Sequence, residues 1–262
     1  MPVVPNPFEP RHRLPRWIAV RVMVPNLITL LAICAGLTAI RLSTEKQLEW
    51  AVTAIVFAVF LDFLDGRIAR MIQGQSRFGA ELDSLADFVN FGVAPGMILY
   101  FWQLNELHDG GWIAAILFAV SGALRLARFN VSIDDASKPA FAANYFTGVP
   151  IPAGAITVLL PVYLSLLGLS PPPVGVTAFF TILIALLMIS RVPVFSGKNV
   201  RLQATPTTVI LAVVAATIFI ALLISYPWYI LSAGSLLYLG GLPIGWKTYR
   251  DLKLANSTDG GG

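Results

Sequence analysis

Long apolar runs recur along almost the whole chain, and no other feature limits its fold so strongly. Each run has about the 20 residues that an α-helix needs to cross the hydrocarbon core of a bilayer. We place eight such segments at 25–42, 49–72, 81–104, 111–129, 149–168, 173–190, 206–225 and 227–246. The sequence therefore predicts an all-α protein, a polytopic membrane helix bundle of about eight transmembrane helices.

The composition indicates an integral membrane protein and excludes several soluble classes. Of the 262 residues, 56% are hydrophobic and 12% are charged, against a charged fraction of roughly 25% in soluble domains. Such a chain cannot bury its apolar side chains in a single soluble core, so a soluble nucleotide-binding enzyme and a disordered chain are both excluded. Cys34 is the sole cysteine, so an intrachain disulfide is impossible.

The basic residues predict the orientation of the chain. Of the 18 lysines and arginines, 16 fall on one side of the segments and only Arg41 and Lys46 fall on the other. Cytoplasmic loops carry such an excess, so we expect an even number of spans and cytoplasmic termini. Orientation and anionic membrane lipids then explain the net charge of +4, and we expect no nucleic acid partner.

The two ends of the chain differ from the apolar segments. Residues 1–24 place Arg13, Arg16 and Arg21 among apolar side chains, which is typical of an amphipathic helix in the membrane interface; an unstructured basic leader is the alternative. The link between the last two segments is very short, so residues 205–250 are expected to form an antiparallel transmembrane hairpin. Residues 251–262 end in glycines and are predicted to be a disordered tail.

Four aspartates lie inside apolar segments, where a charge is costly. Asp62, Asp65, Asp83 and Asp87 belong to the second and third segments, and a charge at mid-bilayer costs roughly 2.5–3.5 kcal/mol. Side chains three or four residues apart share one face of a helix, so each pair points in one direction. Because a short turn at 73–79 makes the two helices antiparallel, we expect the four carboxylates to converge near the cytoplasmic end.

The chemistry of these side chains predicts a site for a hard divalent cation. Four carboxylates without a nearby histidine or cysteine suit Mg²⁺ or Mn²⁺ rather than zinc, and a pair of such ions clamps a transferring phosphoryl group. Small residues beside the carboxylates leave room for a ligand, and arginines supply positive charge for a phosphate. These residues are Gly66, Ala69, Gly79, Arg70 and Arg77.

Ion pairing and ion transport are the alternatives to a metal site at the four aspartates. The carboxylates could pair with Arg67, Arg70 and Arg77, although four acids would leave one without a partner. The same aspartates could line the cation or proton pathway of a transporter. Such a pathway, however, does not require glycines beside the acids or a cluster at one end of the helices.

The spacing of these residues resembles the signature of the CDP-alcohol phosphotransferase family at every fixed position. It reads Asp62-x2-Asp65-Gly66-x2-Ala69-Arg70-x8-Gly79-x3-Asp83-x3-Asp87. Further stretches are similar to the phosphatidylserine synthase branch of that family, at 25–29, 87–95, 125–130, 146–153 and 193–198. The departure from that branch is Asn90, where we expect serine.

The resemblance implies a six-helix catalytic core over residues 25–204 that binds CDP-diacylglycerol at its cytoplasmic end. It implies that Asp62, Asp65, Asp83 and Asp87 hold two divalent ions, Mg²⁺ or Mn²⁺, and that Asp87 is also the catalytic base. The residues implied to bind CDP-diacylglycerol are Asn26, Thr29, Asp62, Gly66, Ala69, Arg70, Ser76 and Gly79. It further implies a homodimer in the inner or cell membrane of a bacterium or archaeon.

The acceptor implied by the resemblance is L-serine, with phosphatidylserine and CMP as products. Glycerol 3-phosphate, inositol phosphate and choline stay open as alternatives, because an arginine suits a phosphate as well as a carboxylate. The candidate acceptor-binding residues are Asn90, Arg125, Arg128, Asn130 and Lys198. Of the two arginines, we expect Arg128 to bind the serine carboxylate, and flanking charge that sets orientation is the alternative for both.

Overall fold

The fold is a bundle of helices with one small β-ribbon. The computed structural model describes residues 16–72, 76–133, 145–190, 193–195 and 205–259. Its helices are α1 (Arg16–Thr44), α2 (Leu48–Met71), α3 (Arg77–Asp87), α4 (Ala94–Trp102), α5 (Asp109–Ile133), α6 (Ile151–Val158), α7 (Leu160–Leu166), α8 (Val174–Ile189), α9 (Pro206–Ser225) and α10 (Pro227–Asp259). Each of the eight predicted segments is therefore helical over most of its length, and the predicted helical bundle is confirmed.

The β-ribbon is an addition that the sequence did not predict. Strands β1 (Tyr145–Thr147) and β2 (Pro193–Phe195) pair antiparallel, with Tyr145 opposite Phe195. The ribbon joins the approach to α6 with the segment that follows α8. Gly148 follows β1 with φ of +79°, and a Cβ there would stand 2.6 Å from the carbonyl oxygen of Met188. Glycine is therefore required at this position by both the backbone conformation and the close approach.

Within the described residues, four stretches of helix are long and apolar enough to cross a membrane. They are Met23–Thr44, Arg77–Trp102, Asp109–Val131 and Thr207–Ser225. The apolar helices Ile151–Leu166 and Val174–Ile189 are shorter, and α2 carries its aspartates and arginines within an otherwise apolar sequence. The chain is an integral membrane protein, and the total of eight transmembrane helices stays a prediction.

The third predicted span is divided by a π-helical segment, Phe88–Val93, between α3 and α4. The π-turn begins directly after Asp87, and it buries Asn90 and Phe91. Such segments are rare and occur frequently at functional sites. The span at 149–168 is also divided, at Leu159, because Pro161 in the first turn of α7 cannot donate a backbone hydrogen bond.

Both ends of the described chain differ from the prediction. Helix α1 starts at Arg16 and runs unbroken through Pro25, so residues 16–24 belong to the same helix as the first span; residues 1–15 lie outside the described part. Helix α10 continues to Asp259, into the segment that we predicted as a tail. Residues 247–255 are mostly lysine, arginine, leucine and alanine, which favour a helix.

The core lies where α1, α2, α4, α5 and α8 pack together. Its largest fully buried side chains include Tyr163, Phe91, Phe118 and Ile55. Helix α10 packs against α6 and α7, whereas no residue in the membrane-length stretch of α9 is buried. The apolar side chains of α9 would therefore face lipid in a bilayer.

Candidate active site

The structure brings the four aspartates together at the ends of α2 and α3. One carboxylate oxygen from each of Asp62, Asp65 and Asp83 lies within 4.8 Å of the others. Asp87 lies one turn further along α3, and its carboxyl group is within hydrogen-bonding distance of that of Asp62. Carboxylates so close repel one another unless a cation or a proton lies between them. The convergence expected from the helical spacing is therefore present.

Within the described residues, Arg67, Arg70 and Arg77 form no salt bridge with these carboxylates. Within the described ranges, the single side-chain ion pair joins Arg41 to Glu45 at 2.8 Å, at the opposite end of α1. Arg70, which shares α2 with Asp62, instead donates its Nε–H to the carbonyl oxygen of Gly66 at 3.0 Å. The structure thus gives no support to ion pairing as the reason for the aspartates.

The carboxylate oxygens fit a hard cation. Oδ1 of Asp65 and Oδ1 of Asp87 are buried, and neither has a hydrogen-bond partner in the part of the chain that the structure describes. Buried acceptors without a partner are destabilising, and a divalent cation with oxygen ligands satisfies such atoms. Histidine and cysteine are missing from this described cluster, which agrees with Mg²⁺ or Mn²⁺ and not with zinc.

Thr29 of α1 orients one carboxylate of the cluster. Its hydroxyl group lies 2.7 Å from Oδ2 of Asp65 and 3.0 Å from the carbonyl oxygen of Pro25, and Thr29 is 4% exposed. Because this hydrogen bond uses Oδ2, the Oδ1 atom of Asp65 is left without a hydrogen-bond partner among the described residues. Sequence reasoning predicted Thr29 as a contact of the CDP group, and the structure gives it this orienting contact as well.

A cavity of about 420 Å³ adjoins the aspartates. This volume lies within the range of roughly 300–1,000 Å³ for small-molecule sites. Six of the residues predicted to bind CDP-diacylglycerol line it, namely Asn26, Thr29, Gly66, Ala69, Ser76 and Gly79. Asp65, Asp83 and Asp87 also line it, whereas the predicted contacts Asp62 and Arg70 do not.

The two predicted glycines serve the cavity in different ways. Apart from its chain neighbours and the backbone of its own helix turn, no described atom lies within 4 Å of the place where a Cβ on Gly66 would stand, so a side chain there would take up ligand space. A Cβ on Gly79 would stand 2.9 Å from Oδ1 of Asn26 and 3.2 Å from Oγ of Ser76. Ser76 caps α3 by accepting a hydrogen bond of 2.9 Å from the Gly79 amide. Gly79 therefore permits the start of α3 to approach α1 closely.

The two arginines of α5 have different surroundings. Arg125 is 8% exposed and lies within electrostatic range of the Asp87 carboxylate, and its guanidinium group is 5.4 Å from the ring centroid of Phe129. Arg128 is exposed and donates to the carbonyl oxygen of Ile189 at 2.6 Å, at the end of α8. A cation is favourable at a helix C-terminus. Arg125, not Arg128, is therefore the arginine beside Asp87.

The remaining acceptor candidates are spread around the site. Asn130 lines the cavity, and its Nδ2 donates to Oγ of Ser84 at 3.0 Å. Asn90 is 1% exposed and packs against Gly36 of α1, so its carboxamide does not line the cavity. Lys198 lies outside the described residues.

Sequence reasoning missed several residues of the site. Ser84, Leu126 and Phe129 line the cavity. The signal for Leu126 and Phe129 was available, because both belong to the stretch 125–130 that supports the family resemblance. Tyr238 of α10 lies within electrostatic range of Arg125, and no local pattern connects residues so far apart in sequence.

Comparison with known proteins assigns the chain to a class. The chain belongs to the CDP-alcohol phosphatidyltransferase family, whose model matches residues 22–192. That range holds the whole aspartate cluster and every residue lining the cavity. A second model, CDP-alcohol phosphatidyltransferase 2, matches residues 208–243. The chain is therefore a membrane-bound transferase of phospholipid biosynthesis.

Individual relatives carry a more specific name. The chain is 39% identical to the CDP-diacylglycerol–serine O-phosphatidyltransferase of Mycobacterium leprae over 243 residues, which are 90% of this chain and 77% of that protein. The enzyme of the same name from Mycobacterium bovis is 37% identical, covering 92% of this chain and 83% of that protein. The one from Methanocaldococcus jannaschii is 36% identical, covering 65% and 73% respectively.

Proposed function

We propose that this protein transfers the phosphatidyl group of CDP-diacylglycerol to the hydroxyl group of L-serine, which yields phosphatidylserine and CMP. The observation that carries this proposal is the convergence of Asp62, Asp65, Asp83 and Asp87 beside one cavity. The names of relatives that align with most of the chain support serine as the acceptor.

The cavity suits the CDP group of the donor. Asn26 and Ser76 present polar groups to it, and Gly66 and Ala69 leave space beside the backbone of α2. Arg70 lies on the same helix, next to Ala69, and can turn its guanidinium group towards a phosphate. The acyl chains stay in the bilayer beside the exposed apolar faces of the helices, so the enzyme need not extract the lipid from the membrane.

The carboxylates of Asp62, Asp65, Asp83 and Asp87 would hold the divalent ions, which we propose to be two Mg²⁺ or Mn²⁺. When bound, such ions neutralise the pyrophosphate and stabilise the departing CMP. Thr29 holds Oδ2 of Asp65, so the ligand set is oriented from α1 as well as from α2 and α3. Hydrogen bonds of this kind to a ligating side chain fix its orientation.

Asp87 is the proposed catalytic base. Its Oδ1 is buried without a hydrogen-bond partner among the described residues, and its side chain lines the cavity. A carboxylate within about 3 Å of a hydroxyl group can accept the proton as that oxygen attacks phosphorus. The new bond joins the serine oxygen to phosphorus, and the bond from phosphorus to CMP breaks. Arg125, beside Asp87, is proposed to bind the carboxylate of serine.

The membrane arrangement completes the proposal. We infer eight transmembrane helices with both termini and the active site in the cytoplasm, because 16 of the 18 basic residues lie on that side. The proposed parts are an interfacial segment (1–24), the catalytic core (25–204), the C-terminal hairpin (205–250) and the tail (251–262). A homodimer in the cell membrane of a bacterium or archaeon is proposed from the family resemblance.

The proposal is tested with the purified protein in detergent. Labelled CDP-diacylglycerol, Mg²⁺ or Mn²⁺, and a panel of acceptors are supplied, and CMP and the lipid product are measured. Serine-dependent CMP release is expected. Use of glycerol 3-phosphate, inositol phosphate or choline in place of serine would keep the reaction class and change the acceptor. No CMP release with any acceptor would contradict the transferase and favour a transporter.

A further inference from the structure

One side of α10 carries polar side chains that are buried inside the protein. Ser232 is 6% exposed, Ser235 is 2% exposed, and Tyr238 is half-buried with its hydroxyl oxygen fully covered. Their spacing of three residues places them on one side of the helix. None of the three hydroxyl oxygens has a hydrogen-bond partner within the described residues. Burying such groups without partners is unfavourable, so their presence needs a reason.

Packing of α10 against the core does not explain the buried hydroxyl groups. Leu231 is buried in the core, and Leu239 and Leu242 pack against it, so apolar contacts already fix α10 in place. Apolar side chains at the three polar positions would fit such a helix better. The buried hydroxyl groups therefore indicate a ligand more than they indicate packing.

Arg125 of α5 lies near Tyr238, one of the three polar residues on this side of α10. Its guanidinium group lies within electrostatic range of the Tyr238 hydroxyl and of the Asp87 carboxylate. The side chain is more than nine-tenths buried, and its Nε has no hydrogen-bond partner among the described residues. A buried guanidinium group with an unused donor is a specific binding group for a carboxylate.

These groups lie beside the donor cavity and not in its wall. Phe129 and Asp87 line the cavity, whereas Arg125, one helical turn before Phe129, and Tyr238 do not. Asp87 is therefore shared by the donor cavity on one side and by the Arg125–Tyr238 region on the other. A base placed between donor and acceptor needs this arrangement.

We propose that α10 completes the acceptor subsite, which takes a small α-amino acid. The guanidinium group of Arg125 binds its carboxylate, and the Tyr238 hydroxyl donates a hydrogen bond to the same carboxylate. The Ser235 hydroxyl accepts a hydrogen bond from the ammonium group, which leaves the hydroxyl group of serine towards Asp87. The proposal rests on the proposed transferase function, and the separate family match over residues 208–243 contains both Ser235 and Tyr238.

The test compares Tyr238→Phe with Tyr229→Phe in the full-length protein in detergent. Tyr229 lies on the same helix and is 63% exposed, so it is the matched control. Loss of one hydrogen bond to a charged group should raise the KM for serine about tenfold in Tyr238→Phe, which corresponds to about 1.4 kcal/mol. The KM for CDP-diacylglycerol should stay within about twofold, and Tyr229→Phe should match the parent.

The use of serinamide gives a second measurement, which would not change if Tyr238 had only a structural role. Serinamide lacks the carboxylate, so the parent should use it poorly, and the preference for serine over serinamide should shrink about tenfold in Tyr238→Phe. Ser235→Ala should also raise the KM for serine. It replaces Tyr238→Phe as the test of the acceptor subsite if Tyr238→Phe elutes as an aggregate in gel filtration.

Three outcomes would overturn the subsite. A KM for serine equal to that of Tyr229→Phe, an equal rise in KM for both substrates, or an unchanged preference over serinamide would each remove α10 from acceptor binding. If the parent shows serine-dependent CMP release, these results leave the proposed function intact. A parent that releases no CMP with any acceptor would overturn the proposed function and the subsite together.

Discussion

Thr29 on α1 donates a hydrogen bond of 2.7 Å to Oδ2 of Asp65 on α2, across 36 positions of sequence. This contact connects α1, which forms part of the wall of the donor cavity, to the aspartate cluster. Because both residues are buried, the hydrogen bond forms in a region of low dielectric, where such interactions are strong. The orientation of one proposed metal ligand thus depends on a helix that contributes no carboxylate.

We predict that Thr29→Val weakens binding of the divalent ion. Removal of an outer partner of a ligand costs roughly 10–100-fold in metal affinity. The concentration of Mn²⁺ needed for half-maximal CMP release should rise accordingly, and Thr29→Ser should stay near the parent. Thr38→Val is the matched control, because the Thr38 hydroxyl bonds only the carbonyl oxygen of Cys34 on its own helix. An unchanged Mn²⁺ dependence in Thr29→Val would contradict the orienting role.

The second prediction separates Asp87 from Asp62. Asp87→Asn should lower kcat by roughly 10²–10⁴-fold, the contribution of a general base, and should retain most binding of CDP-diacylglycerol. Asp62→Asn should impair both turnover and donor binding, because Asp62 is one of the three aspartates whose carboxylate oxygens lie within 4.8 Å of one another, whereas Asp87 lies outside that trio. Turnover and equilibrium binding of labelled donor measure the two effects. Near-normal turnover in Asp87→Asn would remove its role as the base.

The third prediction concerns the two arginines of α5. Arg125→Lys keeps the charge and loses the planar fork, so the KM for serine should rise about 10–100-fold. Arg128→Lys should leave that KM within about threefold, because Arg128 binds the end of α8 through Ile189. Steady-state kinetics at saturating donor distinguish the two. The reverse order of effects would restore the expectation from sequence that Arg128 binds the carboxylate.

The fourth prediction uses the two glycines at the cavity. Gly66→Ala has open space for its methyl group, so thermal stability should persist while the KM for CDP-diacylglycerol rises. In Gly79→Ala the methyl group would meet Oδ1 of Asn26, the movable end of a side chain that lines the cavity, so the KM for CDP-diacylglycerol should rise with little loss of stability. Thermal unfolding in detergent and donor kinetics measure both. A stable, fully active Gly66→Ala would show that the donor does not approach α2 there.

Local spacing made the aspartate cluster predictable from sequence. Asp62 and Asp65 share a turn of α2, Asp83 and Asp87 share a face of α3, and the connecting turn is short. The helical period therefore determines which of these side chains meet, whatever the arrangement of the later helices. Gly66 was predictable for the same reason, since it lies on the same stripe of α2 as the aspartates, whereas Ser76 was expected only from the family resemblance.

Long-range packing decided what the sequence left open. Arg125 and Arg128 are three residues apart on one helix, and the packing of α5 against other helices, not local spacing, determines which of them lies beside Asp87. Tyr238 reaches Arg125 because α10 packs against the core. The π-helical segment after Asp87 and the β-ribbon depend on contacts with α1 and α8, which no short window of sequence contains.

Serine-dependent release of CMP in the presence and absence of a divalent ion tests the central claim most directly. The purified protein receives labelled CDP-diacylglycerol and serine, first with excess chelator and then with Mn²⁺ or Mg²⁺ restored. The aspartates converge with unpartnered oxygens and without a salt bridge to an arginine among the described residues. We therefore predict no CMP in chelator and recovery of both CMP and phosphatidylserine on adding the metal. Full activity in excess chelator would contradict the account.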